Sequence, residues 1–446
     1  MTFATQFHST GTLKPKNTDE VQDFMRTAFA NKQRIYPISG GKNWGNGSKA
    51  PCAPDCLLMD LSLLNNISDF DEELGYITVG PGVTQIQLLE FLNERHSKLM
   101  PSLTGGSKHA SLVGNALERG DGFGAYGEHA KYVCNFEVVL PNGDLFRTGF
   151  DPKYKCAPLS NASLGPSLDG LFFQSNLGII TQMTLWLEPR PDYFHQVIFE
   201  ADSLSEFSQK INMAQQLQLR SLTPYVSIWN DIKIKSRLQN AHFECSKWVG
   251  SLNLFAYDPD QANSQIAWAK KAFKDAVILK SDLDFSEKEN LAIAYSKKSG
   301  PLPEDPDLDR DGCGLMWCMA LLPYRGLDFE NAIPITESIC SSYGFESNLA
   351  LIATDPRTLK LLLALIYDRQ EPGWDQKAQA CHDDILKELE GEGYPPYRLG
   401  LQSMWTAPEN KLYLELKNKI DPNDILSPGH YSPLPSRFSS RSSSSL

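Results

Sequence analysis

The sequence predicts an α+β fold in two parts, and three observations lead there. A chain of 446 residues is long for one hydrophobic core. In the first 190 residues, short apolar runs of strand length alternate with glycine-rich turns, and helical periodicity is confined to two stretches. At Glu188-Pro189-Arg190-Pro191 a double proline breaks the pattern, and a second set of strands and helices follows.

The elements follow in order. Asn17 or Thr18 can cap a helix whose Val21, Phe24, Met25 and Ala28 share one face. Strands are predicted at 34–38, 57–61 and 76–79, and a helix at 85–93, with Ile86, Leu89, Phe91 and Leu92 at helical spacing. Residues 136–140 and 144–147 flank Pro141-Asn142-Gly143, a strong hairpin signal, and 179–186 alternates as a strand. In the second part strands are predicted at 195–200, 222–229 and 314–322. Helices are predicted at 204–217, 262–276, 329–343, 356–367 and 374–390, with a long loop at 298–312. Near the end, Asp421-Pro422-Asn423-Asp424 stops a helix, because proline lacks a donor and restrains the residue before it. Periodicity leaves open which part this segment packs on. Residues 434–446 are serine-rich and read as disordered.

Composition excludes several classes. A net charge of −12 without a basic stripe disfavours nucleic acid. No run of 18 apolar residues predicts a membrane span, and the first residues lack the pattern of a secretory signal. The nine cysteines form no Cys-x-x-Cys pair and have no histidine at zinc-ligand spacing, so they read as reduced, packed thiols, with no metal, in a cytoplasmic protein.

Four glycine loops carry the chemistry. They run from Pro37 through Ser39, Gly40, Gly41, Lys42, Asn43, Trp44 and Gly45 to Gly47, then Val79-Gly80-Pro81-Gly82-Val83, then Gly114-Asn115 to Gly120, then Asp169 through Gly178 to Thr181. Glycine tolerates positive φ and lacks Cβ, so successive N–H groups can converge on an anion. In this order the loops suggest one large nucleotide cofactor held along its length. Gly122-x-Gly124-x-x-Gly127 matches a dinucleotide fingerprint by spacing only. No strand precedes it, and Pro141-Asn142 stands where the acidic ribose ligand belongs.

These motifs, with Glu137–Gly143, Arg147-Thr148-Gly149 and the run Asp421 to Gly429, resemble the vanillyl-alcohol oxidase and p-cresol methylhydroxylase flavoproteins. The likeness is good over about 34–190 and 394–430 and thin between. It implies FAD, a discontinuous PCMH-type FAD-binding domain (1–190, with 394–433 returning to it) and an inserted α+β cap domain (191–393). On this likeness residues 39–47 offer main-chain donors to the diphosphate, and Gly114, Asn115, Gly178 and Ile179 lie along the ribityl chain and ring. Further cofactor contacts are implied for Pro81, Gly106, Ser111, Glu118, Gly120, Gly124, Tyr126 and Ile180.

The dipeptide Tyr397-Arg398 resembles the pair that holds a para-substituted phenol as phenolate, favouring hydride loss from its side-chain carbon. Ionising a phenol of pKa about 10 at neutral pH costs about 4 kcal/mol, within reach of a desolvated guanidinium and a phenolic donor. A structural arginine paired with a carboxylate is the alternative. Trp317, Trp229 and Tyr225 are candidates for the pocket wall or the cap core.

The chain departs from the family pattern in three places. Asn46 replaces a second tyrosine and is taken as substrate-binding. Residues 101–110 lack the carboxylate carried near the flavin, leaving His109 as the candidate acid or base. Residues 354–368 have no histidine and Lys42 stands where some relatives attach the flavin, so FAD is expected to be noncovalent, with Tyr367 the remaining tyrosyl candidate. Without a covalent bond that raises flavin potential, easily oxidised substrates are expected.

The function expected is FAD-dependent oxidation of a small phenolic alcohol or alkyl side chain, with O2 or another acceptor receiving the electrons and a homodimer as candidate assembly. An oxidase of a larger natural-product intermediate and a non-catalytic flavin-binding module are the alternatives.

Overall fold

The structure is a computed structural model that describes residues 1–231, 246–280, 294–298 and 303–432. The serine-rich tail and 299–302 of the predicted long loop lie outside the described residues, as does Cys245.

The first helix, Thr18–Asn31, starts where the Asn17 side chain accepts the Glu20 N–H, and it buries Val21, Met25 and Ala28. They pack on a small parallel sheet of β1 (Gly11–Leu13), β2 (Arg34–Ile38) and β3 (Cys56–Asp60), with β3 central. Pro37 fits because β2 is an edge strand. The late segment completes that edge: Ile35 N donates to Ile425 O at 2.8 Å and Ser427 N to Ile35 O at 2.8 Å. Ile425 and Leu426 join the same core, so the segment that periodicity could not place packs on the first part.

A five-stranded antiparallel sheet stands beside it, built from β4 (Ile67–Asp71), β5 (Tyr76–Val79), β7 (Val133–Val139), β8 (Leu145–Arg147) and β9 (Ile179–Trp186) in the order β4-β5-β9-β7-β8. The predicted hairpin joins β7 to β8, with Gly143 at φ 83°. The second helix is Gln85–Glu94, but it buries Leu88 and Leu92 with Gln85, not Ile86 and Leu89. The intervening β6 (Leu99–Met100) pairs with β10 (Glu188–Pro189), so the double-proline segment begins as a short strand before the chain leaves.

The second part is one antiparallel sheet of seven strands. These are β11 (Tyr193–Ala201), β12 (Tyr225–Asn230), β13 (Trp248–Ala256), β14 (Val277–Lys280), β15 (Cys313–Pro323), β16 (Asn348–Asp355) and β17 (Thr358–Asp368), in the order β14-β11-β13-β12-β16-β17-β15. The helix predicted at 356–367 is thus corrected to strand β17, which pairs with β15 from Thr358 to Asp368. Leucine favours helix locally, but here Leu359, Leu361, Leu363 and Leu365 alternate onto the face that packs against helices Leu204–Leu219, Gly326–Ser342 and Trp374–Gly391. Each leucine is fully buried, a gain of about 1.5–3 kcal/mol apiece that outweighs differences in intrinsic propensity.

Period-two geometry then fixes what the opposite face presents. On β15 Met316, Cys318 and Ala320 enter the helix-side core, leaving Leu315, Trp317 and Met319 to the other face; on β12 that face receives Tyr225 and Trp229. Ala350 and Ile352 of β16 and Leu362 of β17 complete it. Two residues before Leu362, on the same face, stands Lys360.

Candidate functional site

The glycine loop after β2 turns sharply because Gly41, Gly45 and Gly47 have φ of 65°, 76° and 113°. Asn43 O accepts the N–H groups of Asn46 and Ser48, each at 3.1 Å, which closes the turn. The main-chain N–H groups of Gly40, Gly41, Lys42 and Asn43 donate no hydrogen bond among the described residues. They line a cleft of about 1170 Å³, counting its open mouth, together with Ser39, Pro81, Ser111, Gly114, Asn115, Glu118, Gly178, Ile179 and Ile180. Ser111 is held by its hydroxyl, which donates to Pro81 O at 2.7 Å and accepts Gly114 N at 3.0 Å. The glycines at 114 and 178 also answer to packing: an added Cβ would meet Ser39 Oγ at 2.4 Å and Val138 Cγ1 at 2.3 Å.

Four adjacent main-chain donors without partners beside an aliphatic bed suit a diphosphate that continues into a flat ring. The residues present therefore fit FAD: the 40–43 loop would hold the diphosphate, while Pro81, Ile179 and Ile180 would bed its apolar parts.

Arg398, Lys42, Asn43, Ala110 and Asn115 line this cleft and also a second cavity of about 1350 Å³, likewise counting its open mouth, so the two meet there. Tyr225, Trp229, Leu315, Trp317, Met319 and Leu362 supply an aromatic and aliphatic wall from the seven-stranded sheet, and Phe123 stands edge-on to Tyr225 at 5.3 Å. Trp317 is locked by donating Nε1 to Trp44 O and N to Gly45 O, both at 3.1 Å. Gln402 Nε2 ties Gly45 O at 3.2 Å and Trp317 O at 2.9 Å, which pins the late segment between sheet and loop.

Tyr397 and Arg398 both line the aromatic cavity. Burial pushes the Tyr397 phenol well up, Asp121 adding to the effect and Arg398 opposing it, so this side chain keeps its proton. That proton meets only the soft Met319 sulfur, at 3.7 Å. Arg398 donates Nη2 to Asn43 Oδ1 at 2.8 Å, while its Nε lies 3.7 Å from Glu118 Oε2 without a hydrogen bond. Burial alone would raise the Glu118 carboxyl; His430, 3.1 Å away, and Arg398 outweigh it and hold the pKa below the usual range.

Other expected residues fall elsewhere. Trp44, Asn46, Gly106 and Gly120 line the aromatic cavity. Gly45 packs under Trp317. Gly124 abuts Glu188 and Tyr126 stacks on Tyr132 at 4.1 Å, so neither lines the cleft. His109 is exposed and lines neither cavity. Tyr367, bonded to Asp375 at 2.7 Å, lies in the helix-side core, and Lys42 Nζ is engaged by Asp307 at 2.5 Å.

Sequence reasoning missed an ion pair between Asp121, part of the aromatic cavity wall, and Lys360. Lys360 Nζ stands 5.4 Å from the centre of the Tyr397 ring. One signal was available: a single lysine inside Leu359 to Leu365 is anomalous for a buried run. His129 was also missed. It bonds Asn115 Oδ1 at 2.6 Å, and burial, with Lys360 adding to it, lowers its pKa to about 4, so the ring is neutral.

Comparison with known proteins agrees with this architecture. An FAD binding domain family matches residues 10–149. The 1'-carboxy-chondrochloren decarboxylase of Chondromyces crocatus is 34% identical, covering 96% of this chain and 92% of its own. The flavoprotein subunit of 4-cresol dehydrogenase [hydroxylating] from Pseudomonas putida is 28% identical over 92% of this chain and 85% of its own. Substrate-bound p-cresol methylhydroxylase superposes with a TM-score of 0.86 at 26% identity, over 95% of this chain and 88% of that one. The 4-ethylphenol oxidase of Gulosibacter chungangensis shares the fold with a TM-score of 0.83 at 22% identity, over 96% of this chain and 90% of that one. A non-catalytic module is set aside by these relatives, which are enzymes. The chain belongs to the FAD-dependent oxidoreductases of the p-cresol methylhydroxylase type.

Proposed function

We propose that this enzyme oxidises a para-substituted phenol at the side-chain carbon bonded to the ring. The observation that carries this reading is Tyr397 and Arg398 standing in the wall of an aromatic cavity that opens into the cofactor cleft. The Pseudomonas putida relative, which acts on 4-cresol, supports it. When bound, FAD supplies the acceptor for a hydride. Tyr397, kept protonated by burial, donates to the phenolic oxygen of the substrate, and Arg398 balances its charge as phenolate. The ring packs against the wall that includes Trp317 and Trp229, whose bulk excludes water and strengthens both contacts. Phenolate electrons favour departure of the benzylic hydride and leave a quinone methide, to which water adds; from a benzylic alcohol the product is the aldehyde. O2 or another acceptor receives the electrons.

A second reading is favoured by the Chondromyces crocatus relative, a decarboxylase that is 34% identical. In a larger phenolic intermediate with a carboxylate on the carbon next to the benzylic one, hydride loss can be followed by departure of CO2. The C–C pair then forms the alkene and the ring regains aromaticity.

The division into an FAD-binding part (1–190 and 394–433) and a cap (191–393) belongs to the same proposal, as does noncovalent FAD. The placement of β11 to β17 within 193–368 supports the first. The engagement of Lys42 by Asp307 and of Tyr367 by Asp375 supports the second. Among the described residues no helix is long and apolar enough to cross a membrane. The eight described cysteines are free, which supports a reducing, cytoplasmic setting.

Anaerobic mixing of the holoenzyme with para-hydroxybenzyl alcohol tests the main reading. Bleaching of the flavin and formation of the aldehyde are expected; a flavin left oxidised by this and other para-alkylphenols refutes it.

A further inference from the structure

The cavity face of the seven-stranded sheet is apolar at Leu315, Trp317, Met319, Ala350, Ile352 and Leu362, and it carries one cation, Lys360, among the described residues. Lys360 reaches across to the turn after Gly120, where Asp121 Oδ1 receives both its ammonium and, at 3.2 Å, the hydroxyl of Thr354. The two charged side chains are 9% and 5% exposed. Asp121 Oδ2 is buried and has no hydrogen-bond partner. A carboxylate oxygen shielded from water and left without a donor is costly, so it is an open acceptor that a ligand's donor can fill.

Neighbouring groups do not fill it. The neutral His129 ring is occupied by Asn115 Oδ1 and Ser102 Oγ, and the Tyr397 hydroxyl donates toward the Met319 sulfur. The charge pattern restricts the ligand group. An ammonium would meet Lys360 on the same carboxylate, and an anion would meet Asp121 itself. A neutral O–H or N–H remains.

We infer that Asp121 Oδ2 accepts a hydrogen bond from a hydroxyl or amide N–H on the side chain of the substrate, and that the Asp121–Lys360 pair selects phenols carrying such a donor. The inference rests on the reading that Tyr397 and Arg398 take the phenolic oxygen. Lys360 has a positioning role: it holds Oδ1, so that Oδ2 is the oxygen left for substrate. The chain is then suited to functionalised phenols in preference to simple alkylphenols.

The test compares N-acetyltyramine, which has an amide N–H, with 4-butylphenol, which has none, and with tyramine, which is cationic. Rates of anaerobic flavin reduction and dissociation constants from perturbation of the flavin absorbance are measured for the wild-type holoenzyme and for the double variant Asp121→Leu/Lys360→Met. The double change removes both charges together and avoids stranding one in the interior. The wild type is expected to prefer N-acetyltyramine over both other probes in affinity by about 10- to 100-fold, the worth of a hydrogen bond to a charged group. In the double variant the ratio of N-acetyltyramine to 4-butylphenol should fall toward one. Absence of a wild-type preference, or a preference that survives the double change, overturns the inference. If no phenol reduces the wild-type flavin, the phenol reading fails, while the dissociation constants still decide the role of Asp121.

Discussion

Arg398 Nη2 donates to Asn43 Oδ1 at 2.8 Å, joining residues 355 positions apart at the point where cleft and aromatic cavity meet. The bond aligns the guanidinium with the glycine loop, and its Nε remains unpartnered. Arg398→Ala should lower the rate of flavin reduction by a para-hydroxylated substrate by about 10²–10³-fold, as for loss of one preorganised donor. Arg398→Lys keeps the charge without the planar fork and should fall between. Tyr397→Phe should slow the same step while FAD content is retained. Stopped-flow reduction and the flavin-to-protein ratio check these outcomes.

Gly45→Ala should disturb the wall of the aromatic cavity. The residue has φ 76°, and an added Cβ would lie 2.4 Å from Trp317 Cδ1. Backbone strain and forced displacement of the indole together should cost about 1–3 kcal/mol. Gly170→Ala, where the added carbon meets nothing within 4 Å, is the control. Chemical denaturation of the two variants gives the comparison.

Asp421→Ala should destabilise the protein by about 3–5 kcal/mol, because it removes the buried partner of a buried ammonium and leaves only the half-buried Asp424 at 3.5 Å. Lys417 Nζ lies 2.7 Å from Asp421 Oδ2, with side chains 5% and 0% exposed, and also donates to Asn176 O and Leu426 O. Asp421 in turn accepts the N–H groups of Ile425 and Leu426, which set the segment that completes the edge of β2. Urea unfolding followed by flavin release measures the loss.

Glu188 makes stability depend on pH in the direction opposite to an ordinary surface carboxylate. Burial raises its pKa to about 7, with the Ala125 and Tyr126 N–H groups opposing. Between an unfolded value of about 4.3 and a folded value near 7 the native state holds a proton that the unfolded state has lost. Its contribution is therefore full below the unfolded value, declines as pH rises toward 7, and is lost above it. Glu188→Gln should raise the thermal midpoint relative to wild type at pH 8, and the difference should shrink toward pH 5. Parallel melting curves across this range test the sign.

The sequence was most legible where structure is local. The cap at Asn17, the turn at Gly143 and the glycine loops depend on residues a few positions apart, and each stands where spacing put it. Strand β17 was not legible, because its leucines favour helix until β15 and β16 pair on either side. β13 was missed for a related reason: every residue from Trp248 to Ala256 is buried, so no alternation remains to read. At the site, Tyr397 and Arg398 came from a dipeptide. Asp121 and Lys360, 239 positions apart, meet only through the crossing of sheet and turn. His109 marked a loop that does approach the cleft, since Ala110 lines it, but the imidazole itself is exposed.

In the proposed mechanism Tyr397 and Arg398 hold the substrate oxygen as phenolate. The most direct measurement is the difference spectrum of 4-hydroxybenzaldehyde bound to the oxidised holoenzyme, recorded below the solution pKa of the ligand. The phenolate band is expected in the wild type, and its loss in Tyr397→Phe/Arg398→Ala. A bound ligand with the spectrum of the neutral phenol, or a phenolate band that persists in the double variant, would contradict it.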